Sequence, residues 1–236
     1  EKKNSMMSLL QNLDYEIISA IDGKNLNKDE YITNKKFYTP YDHSVLKLGE
    51  IGCSLSHIKV WQTIIDKNIE KAIILEDDIS NIDNLKIIDS VTNDYELLYL
   101  IRKKMINDEE KIVNNLFKYE IVEPHFSYWT SGYVLTLSGA KKLLSTNFAN
   151  NLIAVDEYMP YMGGGIHFNS YLQSVLENSY VGEKLKTLAF NENILSLTPE
   201  TSLSSTTFHS SYNKDYNKDV ILLTVATDNN DSCQRY

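Results

Sequence analysis

The residues Lys71-Ala72-Ile73-Ile74-Leu75-Glu76-Asp77-Asp78 pass from an uninterrupted apolar run straight into three acids. A strand covered by helices on both faces has no wet side, so it reads as a continuous apolar run rather than an alternating one. The run therefore predicts a central strand of an α/β sheet. In such sheets ligands sit outside the carboxyl ends of the strands, which aims Glu76, Asp77 and Asp78 at a substrate crevice. Hard carboxylate oxygens in that place suit Mg2+ or Mn2+ carrying a diphosphate. On this segment alone a plainer reading stays open, in which the acids merely start a solvated loop.

Alternating strand and helix signals surround it. Helices are expected at 6–13, 49–65, 139–144 and 155–162, and strands at 15–20, 72–75, 95–101 and 128–137, with weaker strand signals at 185–190 and 194–197. The 49–65 helix is the clearest, because Ile51, Leu55, Ile58, Trp61 and Ile65 keep a helical stripe. Ser138 is placed to cap the 139–144 helix. This order implies a mainly parallel, doubly wound sheet. At 236 residues the chain suffices for one sizeable α/β domain, or for one domain and a piece of another. After a Ser/Thr-rich connector at 202–211, an apolar strand at 219–227 either completes this sheet or opens a further domain. The sequence favours the second, which divides the chain into 1–211 and 212–236.

Bulk properties exclude some classes. A formal net charge of −9 argues against non-specific nucleic-acid binding, which needs a basic face, but not against a small polyanion held through a metal. No apolar stretch reaches membrane-spanning length. Cys53 falls in an apolar helical pattern and reads as a core residue, while Cys233 lies in a polar tail, so a bridge is not expected. The chain opens on Glu1-Lys2-Lys3, without an initiator Met, as an excised piece would.

Three further segments carry chemistry. In Leu48-Gly49-Glu50-Ile51-Gly52-Cys53-Ser54-Leu55-Ser56-His57, two glycines at a helix entrance allow close approach, and exposed amides there can receive an anion; glycines before helices are also commonly structural, and His57 reads first as a core histidine. Tyr128-Trp129-Thr130-Ser131-Gly132 offers aromatics against which a sugar face packs, or simply two rings in a core strand. Asp156 and Glu157 stand at a helix start, where the dipole favours acids and where a carboxylate can serve as a general base.

Taken together, AIDGK (20–24), LGEIGCSLSHIKVW (48–61), ILEDD (74–78), YWTSGYVLTLSGAKKLL (128–144) and VDEYMP (155–160) resemble, in order, glycosyltransferase family 25. This family includes bacterial lipooligosaccharide and animal procollagen galactosyltransferases. The stretch from Leu98 to Met105 and the FSYWT segment are most similar to the procollagen branch.

The resemblance implies a GT-A-type nucleotide-sugar fold, Mn2+ (or Mg2+) as cofactor, and UDP-galactose as donor. It implies inverting transfer to hydroxylysine of a collagen-like protein in the endoplasmic reticulum lumen. Carried onto this chain, Asp78 binds the metal with Glu76 assisting, and Asp77 completes the DxD-like motif. Asp22, Gly23, Gly49, Gly52, Ser56 and Asp77 bind the donor. Asp156 or Glu157 is the base, and Tyr128, Trp129 and Ser131 shape the acceptor side.

The family's opening strand and its Arg-rich turn have no counterpart here. Thr198-Pro199-Glu200 stands where the animal enzymes carry a Pro followed by a His-Tyr pair, leaving His209 as the substitute for a late metal-binding histidine. Residues 219–236 look like the start of the glycosyltransferase domain of procollagen lysyl hydroxylases. Two alternatives are a transferase acting on a lipooligosaccharide or other glycan, and a non-catalytic transferase-like scaffold. The strand at 220–227, if left without a partner, invites dimerisation.

Overall fold

A computed structural model describes residues 2–27, 46–198 and 220–226. The elements in order are α1 (Lys2–Leu9), β1 (Tyr15–Ser19), α2 (Leu48–Asp66), β2 (Lys71–Glu76), β3 (Ile79–Asn81), β4 (Leu97–Lys104), β5 (Lys111–Leu116), β6 (Tyr119–Glu123), β7 (Ser127–Thr136), α3 (Leu137–Ser145), α4 (Val155–Met162), α5 (Ser170–Ser179), β8 (Thr187–Phe190), β9 (Ser196–Leu197) and β10 (Val220–Ala226). Eight strands form one sheet in the order β1-β10-β2-β7-β4-β8-β6-β5, and β3 pairs with β9 apart from it. The fold is mixed α/β, consistent with a GT-A-type glycosyltransferase.

The expectation of a mainly parallel sheet needs correction. Pairings β1/β10, β10/β2 and β4/β8 are parallel, whereas β2/β7, β7/β4, β8/β6 and β6/β5 are antiparallel. The physical reason is β7, which enters between the two central strands against their direction. It is buried along nearly its whole length, as they are, and burial on both faces leaves strand direction open. The β5–β6 hairpin turns at Phe117, whose φ is 56°, without the Asn-Gly or Asp-Gly signal that makes a tight hairpin legible.

Burial on both faces is as the apolar run requires. Ala72 and Ile74 join the core that β2 shares with α2, α3 and α4, while Ile73 and Leu75 join a second core on the opposite face. Leu97 and Tyr99 of β4 face the first core, and Leu98 and Leu100 the second. The next residue on the helix-covered face after Ala72 and Ile74 is Glu76. Strand period alone thus turns this carboxylate beneath α2.

β1 and β2 do not pair directly. The strand at 220–226 occupies the slot between them, parallel to both, with Leu222 opposite Tyr15 and Ile73. A strand there has both edges hydrogen-bonded, so of its two open places the segment takes the one in this sheet. The first helix lies at 2–9 rather than 6–13, and Thr136, not Ser138, caps the helix after β7 by accepting from the Gly139 amide. Among the described residues, no helix is long and apolar enough to cross a membrane.

Candidate active site

Helix α2 is pinned to the turn after β1 by atoms that tolerate no extra carbon. A Cβ on Gly52 would lie 2.6 Å from the Ile21 carbonyl oxygen, and one on Gly23 would lie 2.1 Å from that of Leu48. Ser56 fastens the same contact, donating to the Gly52 carbonyl at 2.6 Å and accepting from the Ile21 amide at 2.8 Å. Gly23, Gly52 and Ser56, expected at the donor site, are thus committed to joining α2 to the turn after β1. Gly49 differs, since its α-carbon faces open space at the helix entrance. Asp22 caps the short helical turn Gly23–Asn25 through the Lys24 amide at 2.9 Å.

From α2 a buried polar chain runs to the end of β2. Trp61 Nε1 donates to Tyr133 Oη at 3.0 Å, and that hydroxyl lies 2.8 Å from His57 Nδ1. His57 Nε2 faces Glu76 Oε1 at 3.2 Å, and Thr130 Oγ1 donates to the same oxygen at 2.8 Å. Burial drives the His57 pKa down to about 4, against the pull of Asp156, so the ring is neutral at pH 7. With Glu76 able only to accept, the proton sits on Nε2, and Nδ1 receives the Tyr133 hydroxyl. His57 therefore orients Glu76, a role that its place on a helical stripe conceals.

The 155–162 helix brings the second acidic pair to the same place. Ser54 donates to the Ile153 carbonyl at 2.8 Å, tying the turn before Asp156 to α2. Tyr158 stacks on Phe148 at 3.8 Å and donates to the Leu143 carbonyl. The Asp156 pKa is pushed up to about 7, first by burial and then by the charge of Glu76 and Glu157. Its Oδ1 is buried and accepts no hydrogen bond. A carboxylate that is only partly ionised near neutrality, with an oxygen to spare, can take a proton. Glu157 is differently placed. Tyr128 Oη donates to its Oε1 at 2.8 Å, and His167 Nε2 lies 2.8 Å from its Oε2, though without the alignment of a regular hydrogen bond.

Asp77 and Asp78 form the turn between β2 and β3. The Thr198 amide donates to the Asp78 carbonyl at 2.7 Å, so the segment leading to Pro199 abuts the DxD-like turn. His209 lies outside the described residues. Trp129 has φ 78°, in the left-handed region, where the register of β4 and β7 shifts beside Ile101. This irregularity accompanies the placement of Tyr128 against Glu157 and Thr130 against Glu76. Ser131 is buried. Thr130, Tyr133 and His167 were not singled out by the sequence; Thr130 and Tyr133 lie inside a quoted motif, but His167 carries no signal beyond its proximity to three glycines.

Among the described residues, one group of donors has the spacing of a metal site. Cys53, His57 and Glu76 have ligand atoms within 4.8 Å of one another, but both His57 nitrogens already have hydrogen-bond partners and the group is closed to solvent. A hard divalent cation also suits carboxylate oxygens better than a group that includes a thiol and an imidazole. The charges of Glu76 and Glu157 raise the proton affinity of Asp156, a crowding of acids that a hard divalent cation beside them would relieve. A cavity of about 730 Å³, lined by Glu70, Lys71, Tyr95, Glu96, Ser138 and Lys186 among others, opens at the amino end of β2, away from these acids.

Residues 1–159 match the family described as Glycosyltransferase family 25 (LPS biosynthesis protein). The chain is similar to procollagen galactosyltransferase 2 of Homo sapiens, with 35% identity over 178 residues, covering 69% of this chain and 28% of the human protein. It is also similar to a glycosyltransferase 25 family member of Drosophila melanogaster, 34% identical over 176 residues, covering 69% of this chain and 28% of that protein. A third relative, the probable inactive glycosyltransferase 25 family member 3 of Bos taurus, is 32% identical over 159 residues, covering 62% of this chain and 26% of that protein. The chain thus spans little more than a quarter of the length of the relatives it matches.

Proposed function

This chain belongs to glycosyltransferase family 25, and from that premise we propose that it transfers galactose from UDP-galactose to hydroxylysine of a collagen-like protein with inversion at the sugar carbon. The observation that carries the reading is the meeting of Asp156 with the Glu76 network in one buried acidic site. Asp156 Oδ1 takes the proton of the acceptor hydroxyl as its oxygen bonds to the anomeric carbon. The bond from that carbon to the diphosphate breaks, and UDP leaves with the electron pair. One displacement needs one base, unlike the two-carboxylate machinery of a glycosidase. Glu157, held by Tyr128 and facing His167, steadies the turn that carries Asp156.

Asp78 and Glu76 would hold the divalent cation, which supplies neutralisation of the charge developing on the leaving diphosphate. Because Glu76 Oε1 already serves His57 and Thr130, Asp78 is the principal ligand in this reading. Gly49 and the Asp22 turn flank the donor, and Tyr128 and Trp129 the acceptor. A glycan acceptor is the second reading, favoured by the LPS-biosynthesis description of the family.

The test is transfer from radiolabelled UDP-galactose to hydroxylysine-bearing collagen peptides and, in parallel, to lipooligosaccharide fragments. Label on the peptide supports the first reading, and label only on the saccharide replaces it with the second. A chain that labels neither, yet retains collagen peptide, would be the scaffold.

A further inference from the structure

His167 is a buried histidine whose ring is hydrogen-bonded at Nδ1 and packed on its faces. The Asn169 amide donates to Nδ1 at 2.8 Å, so Nδ1 carries the lone pair and the proton belongs to Nε2. The His167 amide donates to Gln173 Oε1 at 2.7 Å, fixing the backbone. Phe126 meets the ring edge to face at 4.6 Å, and Phe168 stacks on it at 4.4 Å. The loop that delivers it is equally constrained. Gly164 has φ 86°, and a Cβ on Gly165 would come within 3.0 Å of the Pro160 carbonyl oxygen and 3.1 Å of Phe126 Cα. The three glycine amides, at 163, 164 and 165, close back on the Met159, Tyr161 and Pro160 carbonyls. A turn this tight returns the chain over the helix that starts with Asp156 and Glu157.

The one ring nitrogen left over, Nε2, lies 2.8 Å from Glu157 Oε2, a contact made at hydrogen-bond distance but not in the alignment of a regular hydrogen bond, while Tyr128 holds Oε1. A buried carboxylate oxygen without a donor is costly, so the Nε2–H beside Oε2, with Tyr128 on Oε1, favours one orientation of Glu157. We propose that His167 is a positioning residue for the transfer reaction, its Nε2–H orienting Glu157 so that the neighbouring Asp156 stands in register with the acceptor oxygen. The inference rests on the transferase reading and deepens it. In this role His167 acts through Glu157 and the first turn of the 155–162 helix rather than on the reacting atoms.

The test compares His167→Gln with His167→Asn in the full chain. The glutamine amide nitrogen reaches the place of Nε2 and keeps the donor to Glu157, whereas that of asparagine reaches only the place of Nδ1. We expect kcat to fall about tenfold to a hundredfold in His167→Asn, the range for a small misplacement of a reacting group. UDP affinity should be unchanged, and kcat should recover to within about threefold of wild type in His167→Gln. Melting temperatures measured alongside separate this from a packing role, which would lower stability in both variants without distinguishing their turnover. Equal turnover by the two variants overturns the positioning role and leaves the transferase reading intact. A wild-type chain that transfers no sugar to any acceptor overturns both.

Discussion

Arg102 and Glu110 form a buried ion pair whose loss can be sized from the structure. The Glu110 side chain is 3% exposed and that of Arg102 1%. Both guanidinium Nη atoms meet the carboxylate, Lys104 lies 3.2 Å away, and the His125 amide donates to Oε1 at 2.9 Å. Arg102 also donates to Ser127 at the start of β7, next to Tyr128. Although burial opposes it, these donors and charges hold the Glu110 pKa down at about 2, against an ordinary 4.5.

A difference of that size corresponds to about 3 kcal/mol, at roughly 1.4 kcal/mol per pH unit. Because the folded pKa is the lower one, the contribution is complete above pH 4.5 and is lost as pH falls from there towards 2. Glu110→Gln leaves Arg102 buried without its counter-ion, for which about 3–5 kcal/mol is expected. Urea unfolding followed by circular dichroism should therefore show the variant destabilised by about 3 kcal/mol or more at pH 7. The gap to wild type should shrink steadily below pH 4.5. A gap under about 1 kcal/mol at pH 7, or one independent of pH down to 2.5, would refute the reasoning.

Gly52→Ala should cost about 1–3 kcal/mol of stability, since its methyl group would collide with the Ile21 carbonyl, and should weaken UDP binding by displacing the helix entrance; thermal melting and UDP titration measure the two effects. Asp156→Asn keeps the size of the side chain but removes the base. Transfer should fall about a hundredfold or more while UDP still binds as to wild type, measured by steady-state transfer and donor titration.

The central strand and the acids closing it were legible because burial on both faces leaves an unmistakable composition, and β2 and Glu76 lie where that composition put them. Strand direction was not legible. β7 is buried like the strands on either side of it, and burial carries no sign of direction. The structural tasks of Gly23, Gly52 and Ser56 were hidden because a glycine that admits a ligand and a glycine that admits a backbone look alike until the neighbouring carbonyl is placed. His57 and Tyr133 sit on an apolar helix face and an apolar strand, where their hydrogen bonding appears only once the two elements meet. His167 is separated from Glu157 by ten positions and a triple-glycine turn, so no local pattern could couple them.

The account stands on the acids after β2 holding a divalent cation under a nucleoside diphosphate. Its most direct test is Mn2+-dependent binding of UDP, measured calorimetrically on the wild-type chain and on Asp78→Ala with the fold monitored by circular dichroism. The account predicts UDP binding that requires Mn2+ in the wild type and is lost in a folded Asp78→Ala variant. UDP binding that is indifferent to Mn2+, or equally strong in both proteins, would contradict it.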